Sequence, residues 1–198
     1  MTTTDPLDLL TLHAVRLRGF AEADDLARRF GLDPRGTHER LLDHQALGHV
    51  VHPEFAGLAG WSLTDSGRRL GEQLLAGERT STPGADDAVR AAHAAFLPLN
   101  ARLQSVVTDW QLHRATPAAV LTGLGALSGA LGPVERRLTD VLPRFAGYAG
   151  RFADALGHAR DGHARWVDGS DLDSCHTVWF ELHEDLIATL GLTRDGTA

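Results

Sequence analysis

The chain has 198 residues, 19 basic against 26 acidic side chains, and a formal net charge of −7 at pH 7. A 43% hydrophobic share with 23% charged residues excludes a disordered chain, and the single cysteine, Cys175, excludes an internal disulfide framework or a cysteine-based zinc knuckle. The acidic balance speaks against nucleic-acid binding driven by bulk charge, and because every basic residue is arginine, each cationic contact is a guanidinium fork.

Asp5-Pro6 supplies an N-cap and a proline at the first helical position, opening a helix through about Arg18. A second, short helix over residues 24–30 buries Leu26, Ala27 and Phe30; Gly31 ends it and Leu32 packs back. Asp33-Pro34 caps a third helix to about Leu47, and Gly48 terminates it. Val50-Val51-His52 and Trp61-Ser62-Leu63 read as two strands around a loop from Pro53 to Gly60, after which Thr64 caps a last helix through Ala76. The polar stretch 77–85, rich in Ser, Thr, Gly and Pro, reads as a linker. It separates an N-terminal domain, residues 1–76, from a C-terminal domain, residues 86–192, with 193–198 as a flexible tail.

The C-terminal part reads as all-helical, its apolar residues recurring at three- and four-residue spacing. One seam runs through Val89, His93, Phe96, Asn100, Leu103, Val107 and Trp110, and Pro98 inside that helix is expected to kink or break it. A second seam, Leu124, Leu127, Leu131, Val134, Leu138, Val141 and Phe145, is purely apolar. A shorter helix follows around Arg151 to Arg160, and a last seam carries Leu172, His176, Trp179, His183, Leu186 and Leu190. No apolar run reaches the roughly 18 residues of a membrane span, and the start has no basic segment leading into a signal-like core. A cytoplasmic protein without a membrane partner is the expectation.

Three segments of the N-terminal part carry a resemblance. Asp24-Asp25-Leu26-Ala27-Arg28-Arg29-Phe30-Gly31-Leu32 is similar to the positioning helix and turn of bacterial repressors. Pro34 through Val50 follows the usual recognition-helix pattern without a gap, with Leu41, Leu47, Gly48 and Val50 in place. Trp61-Ser62-Leu63-Thr64-Asp65-Ser66-Gly67-Arg68-Arg69-Leu70 resembles the LT-x-x-G-R segment that follows the wing in MarR-like regulators. Over residues 5–76 the chain thus resembles a MarR-like winged helix-turn-helix transcriptional regulator of actinobacterial type. The implied fold is mainly α: three to four helices with a two-stranded wing, then an all-α domain. The chain departs from the pattern at Thr37, His44 and His49, and Glu39 stands on the exposed face among the groove contacts.

The resemblance implies double-stranded DNA as partner, with helix 34–47 in the major groove. Arg35, His38 and Glu39 would read base edges, Arg35 as a bidentate guanine contact. Thr37 and Arg40 would touch phosphate or pack, Arg28, Arg29, Arg68 and Arg69 would hold the backbone, and the loop around Phe55 would lie along the minor groove. The alternative for these arginines is a solvated face paired with acids. For His44 and His49 a semi-buried place with backbone partners is expected. Residues 1–79 carry 9 arginines against 12 acids, a balance of −3, so a homodimer presenting the arginines twice is the physical expectation.

In the C-terminal domain, polar residues stand in otherwise apolar seams: His93, Asn100, His176 and His183. Burying them unpaired costs about 1–3 kcal/mol each. Either they satisfy one another, backbone or water, or they line an effector pocket for a small molecule, walled by Phe96, Trp110, Trp179 and Phe180. A metal is the third alternative: His176 and His183 are about 10.5 Å apart along the helix, a span one ion struggles to bridge, so it would need one of them with His93 and a carboxylate such as Asp87 or Glu184; no metal residue and no cofactor is assigned. Cys175 is either a redox switch or a small packed side chain. A protein-interaction adaptor without specific DNA binding is the rival to the regulator. An enzyme finds no support in nucleophile–base pairs, phosphate-cradling loops or HExxH.

Overall fold

Asp5 and Asp33 open two helices in the same way. The Asp5 carboxylate accepts the Leu7 N–H at 2.9 Å and the Asp33 carboxylate the Gly36 N–H at 2.7 Å, each followed by a proline whose missing N–H costs nothing there. The computed structural model describes residues 5–55 and 57–192, without the Phe55 side chain; the expected tail, 193–198, lies outside the described residues. The protein is mainly helical, at 74% helix, and divides into two compact units, one up to Ser81 and the other Thr82–Leu190.

In the first unit, α1 (Pro6–Arg18), α2 (Ala23–Phe30) and α3 (Pro34–Ala46) precede four short strands and α4 (Asp65–Ser81). Gly31, at φ 63°, closes α2 in the left-handed conformation, and the Leu32 N–H reaches back to Ala27 O at 2.9 Å. β1 (Val50–Val51) pairs antiparallel with β4 (Ser62–Leu63), Val50 opposite Leu63. Within the segment expected to be loop, β2 (Glu54–Phe55) pairs with β3 (Leu58–Ala59), extending the hairpin. The segment Pro53 to Gly60 carries a proline and two glycines, turn formers that mask the two short strands between them. Leu12, Val15, Leu26, Leu41, Val50 and Trp61 form the core, with Phe30, Leu63, Leu70 and Leu74 packed against it.

The exit of α3 is tied to the start of α4. Gly48 turns the chain at φ 73°. The Thr64 hydroxyl donates to Gly48 O at 2.7 Å and accepts the Gly67 N–H at 3.1 Å, while the Ser66 hydroxyl donates to Gly48 O at 2.8 Å and the Thr64 N–H to His49 O at 3.0 Å. A Cβ at Gly67 would stand 1.9 Å from the His49 carbonyl oxygen, so only glycine fits. The segment that carries the family resemblance is therefore a clamp on the α3 exit.

α4 runs to Ser81, five residues beyond the expected end at Ala76, so most of the expected linker 77–85 is helix. The reason is local: the Thr80 hydroxyl donates to Ala76 O at 2.8 Å and the Ser81 hydroxyl to Glu78 O at 3.1 Å. Hydroxyls that bond back to the preceding turn remain compatible with helix. The connection shrinks to Thr82, Pro83 and Gly84, the last at φ 77°.

The second unit consists of α5 (Ala85–Gln111), α6 (Pro117–Thr139), a 3-10 turn (Pro143–Phe145), α7 (Tyr148–Arg160), α8 (Arg165–Asp168) and α9 (Cys175–Leu190). α5 packs on α6 and α9, and α7 on the same two, closing a four-helix ring; α8 lies against α7 and α9. Phe96, Leu124, Leu127, Leu131, Phe145, Phe152 and Trp179 are buried between them. The expected break at Pro98 does not occur: α5 passes through it, and Pro98 sits on the exposed side, where water reaches the carbonyl it leaves unpaired. Glu135 on α6 accepts the N–H groups of Gly147, at 2.7 Å, and Ala149, fastening the start of α7.

α6 is a correction. Its 23 residues include an 18-residue window of mean hydropathy 1.4, long and apolar enough by length and composition to cross a membrane, with 28% of the window buried. Thr122, Ser128 and several glycines interrupt the apolar residues without adding charge, which hides the helix from a search for continuous apolar runs. Its leucines face the other helices, and a Cβ at Gly123 would meet Val106 Cγ2 at 2.9 Å, so α5 and α6 approach closely there.

Gly67→Ala should destabilise the first unit by about 1–3 kcal/mol or more, the usual cost of forcing atoms into a filled space. Faster hydrogen exchange in α3, β1 and α4, with α5 to α9 unchanged, checks this.

Candidate functional site

Helical phase sorts α3 into two faces. Thr37, Leu41 and His44, spaced four and three apart, turn inward, leaving Arg35, His38, Glu39 and Leu42 on the exposed face. The Arg35 side chain is 88% exposed, and its Nε donates to Glu39 Oε1 at 3.1 Å. The His38 ring stands edge-on to Trp61, centroids 6.0 Å apart. Arg28 is exposed on α2 and paired with Asp25, and Arg68 and Arg69 are exposed on the first turns of α4.

Of the residues expected at the DNA, Arg29 is buried, while Thr37 and Arg40, expected to touch phosphate or to pack, do the second. Thr37 is buried against the core, because it shares the inward phase of Leu41. Arg29 is buried with its guanidinium 4.5 Å from the centroid of the Phe30 ring, a cation–π arrangement. Arg40 is drawn to α1: its Nη2 donates to Asp5 at 2.6 Å and its Nη1 to Asp8 at 2.7 Å. Burial alone would lower the Arg40 pKa, but the two carboxylates outweigh it and raise it. The Leu7 N–H, and then Arg40, hold the Asp5 carboxyl below the usual carboxylate range. The Phe55 side chain lies outside the described residues.

A pairing that the sequence reading missed sits at the exit of α3. His44 and His49, expected to find backbone partners, face each other, with Nδ1 atoms 3.2 Å apart; His44 is buried, and its Nε2 lies 3.6 Å from Asp8 Oδ1. Gly48 folds the chain so that residues five apart meet, and the His49 N–H donates to His44 O at 2.8 Å. Burial pushes the His44 pKa down.

In the second unit, five of the eight expected pocket residues come together. Phe96 stacks on Trp179, centroids 4.9 Å apart, and lies 5.4 Å from His183; the His93 ring is nearly parallel to that of His183 at 6.4 Å. The Trp179 indole N–H donates to Asn100 Oδ1 at 3.0 Å. Burial lowers the His93 pKa, which favours the neutral ring at pH 7. Phe96 and Trp179, two of the four expected walls, are in contact with each other. The other walls are placed elsewhere. Trp110 donates its indole N–H to Asp168 Oδ1 at 3.2 Å, and Phe180 is exposed, beside His176 at 6.3 Å between ring centroids.

Among the described residues no group of three or more His, Cys, Asp or Glu side chains is arranged to hold a metal ion. Cys175 is buried, and burial pushes its thiol up to about 12, which suppresses the reactive thiolate.

The strongest polar cluster was not anticipated. Asp185 accepts from Arg144 Nη1 at 2.5 Å and from the Tyr148 hydroxyl at 2.8 Å, while Arg144 Nη2 donates to Thr189 at 2.7 Å. Next to it, Arg151 donates to Asp173 at 2.8 Å and to Glu181 at 2.7 Å. The signal in the sequence is the spacing: Glu181, Asp185 and Thr189 recur every four residues on α9, and Arg144 and Arg151 stand seven apart. Compared with known protein families, curated proteins and solved structures, the chain matches none.

Asp185→Leu should cost about 3–5 kcal/mol, because it removes one partner of a buried ion pair. Arg144→Met combined with Asp185→Leu should recover most of that loss. Urea unfolding of the two variants and the parent measures both.

Proposed function

We propose that the chain is a DNA-binding transcriptional regulator of the MarR-like winged-helix kind, with α3 as recognition helix and the β1–β4 hairpin as wing. The observation that carries this reading is the outward face of α3: Arg35, His38 and Glu39 stand together on its first turns, while the clamp at its other end fixes the helix. The N-terminal turns of a recognition helix are where base edges are met in the major groove, and Arg35 is the fork that suits guanine O6 and N7. Arg28, Arg68 and Arg69 are the exposed cations left to meet phosphates. So small a set is supplemented by a second copy, and a dimer would read half-sites ~34–36 Å apart. A small-molecule effector would act through the second unit, at the half-buried His93 and His183 beside the Phe96–Trp179 stack.

A protein-interaction adaptor is the second reading, favoured by one observation. Leu42 and Leu47 are 46% and 67% exposed, and the acids Glu39 and Asp43 share the exposed side of α3. That mixture suits a protein surface better than a phosphate field.

Selection of bound fragments from genomic DNA, followed by titration of the enriched sequence, separates the two. Arg35→Ala should abolish the sequence preference, a loss of about 1–3 kcal/mol. Glu39→Gln should tighten binding by releasing Arg35 from its ion pair, and Arg68→Ala should reduce the dependence of log K on log salt by about 0.9. Enrichment of no fragment, or unchanged binding by the Arg35 variant, overturns the regulator. Loss of a protein partner on Leu42→Ser with Leu47→Ser would then favour the adaptor.

A further inference from the structure

The exit of α3 holds two imidazoles in a contact that has room for one hydrogen. With the Nδ1 atoms of His44 and His49 3.2 Å apart, one ring donates and the other accepts. A proton on both nitrogens would set two N–H groups, on two cationic rings, against each other. The pair therefore admits a first proton, taken on an outer nitrogen, but a second one breaks the contact.

The groups around His44 show where its ring would go. Asp8 faces it from α1, with Oδ1 3.6 Å from Nε2; Arg40 and Asp43 bear on it from α3 itself, and His49 from the turn into β1. Among the described residues, α2 and β1, which also pack on α3, add no charged group that bears on it. Asp8 already holds Arg40 at 2.7 Å, so a charged His44 ring draws on the acceptor that fastens α3 to α1. His49 in turn is bound by its backbone: its N–H donates to His44 O, and its carbonyl accepts the Thr64 N–H at 3.0 Å. Separating the rings pulls on both ends of the clamp.

We propose that His44 and His49 form a proton-operated latch between α3 and the hairpin, closed while the pair carries at most one proton and opened by the second. The latch does not rest on the DNA-binding reading, since it belongs to the first unit whatever α3 recognises. Burial lowers the His44 pKa in the folded chain, which sets the sign of the effect. Above the ordinary histidine value, ~6.5, neither folded nor unfolded His44 is charged and the contribution to stability is complete. As the pH falls below that value, the unfolded chain binds a proton that the folded ring refuses, and the folding equilibrium weakens by up to about tenfold per pH unit. The loss ends once the pH has passed the lowered folded value.

The test is an NMR titration of the histidine rings and backbone amides of the full chain from pH 8 to 4.5, for the parent and for His49→Gln. Glutamine can still donate to His44 Nδ1 but takes no proton, so the contact survives without the second charge. In the parent, His44 should titrate below the ordinary histidine range, and the amides of Gly48, His49, Val50 and Thr64 should shift together with it. In His49→Gln, His44 should titrate at a higher pH, and the amides of Gly48, Val50 and Thr64 should respond at least threefold less. Unfolding in urea at pH 7 and pH 5, for the parent and for His44→Gln, gives a second measurement: between the two pH values the folding equilibrium of the parent should weaken at least threefold more than that of the variant. An unchanged His44 titration in His49→Gln, amide shifts that track another histidine, or equal weakening of the parent and His44→Gln overturns the latch.

Discussion

The carbonyl oxygens of Gly48 and His49 are the hub of the first unit. They lie where α3 ends, β1 begins and α4 arrives, and they are satisfied by Thr64 and Ser66 together. Their donors come from a segment fifteen to eighteen residues further on, so these bonds tie together stretches that are distant in the chain. The hairpin between them is thereby closed at its base, and its outer strands need only two residues each. α3 gains a fixed C-terminal end, and the ion pairs of Arg40 with Asp5 and Asp8 hold its middle to α1. The direction in which Arg35 and His38 point follows from those two fastenings.

Those fastenings also change the electrostatics of the outward face. Arg29 is buried, Arg40 is taken up by Asp5 and Asp8 of α1, and Arg28 and Arg35 are each engaged by an acid on their own helix. Exposed ion pairs of this kind contribute little to stability, but they reduce the positive field seen from outside. Arg68 and Arg69 follow Gly67 directly, so the residue that permits the clamp also sets where they emerge. Cation placement on this surface is governed by backbone packing rather than by the number of arginines in the chain.

The signals that were legible in the sequence are short-range. Asp5-Pro6, Asp33-Pro34, Gly31 and Gly48 mark helix ends because capping chemistry involves neighbours within one turn, and they stand where the sequence placed them. Thr80 and Ser81 were misleading because the same hydroxyls that suit a linker also bond back to a helix. Arg29 and Thr37 show residue type and helical phase in conflict: each is three or four residues from a core leucine, and phase prevailed. The pairing of His44 with His49, and the meeting of Arg144 with Asp185, depend on turns and on helices distant in sequence. Periodicity can name the face of α9 that carries Asp185, but not the arginine that will stand opposite it.

Cys175 has a consequence of a different kind. It is the only thiol in the chain, fully buried in the second unit, and held in its protonated form. A thiol-specific reagent can modify it only during the moments when that part of the helical ring comes apart. Its rate of labelling under native conditions therefore counts those openings directly, without added denaturant and without a contribution from fluctuations confined to the first unit. The side chain with least to offer as a chemical group serves as a built-in clock for the motions of its own surroundings.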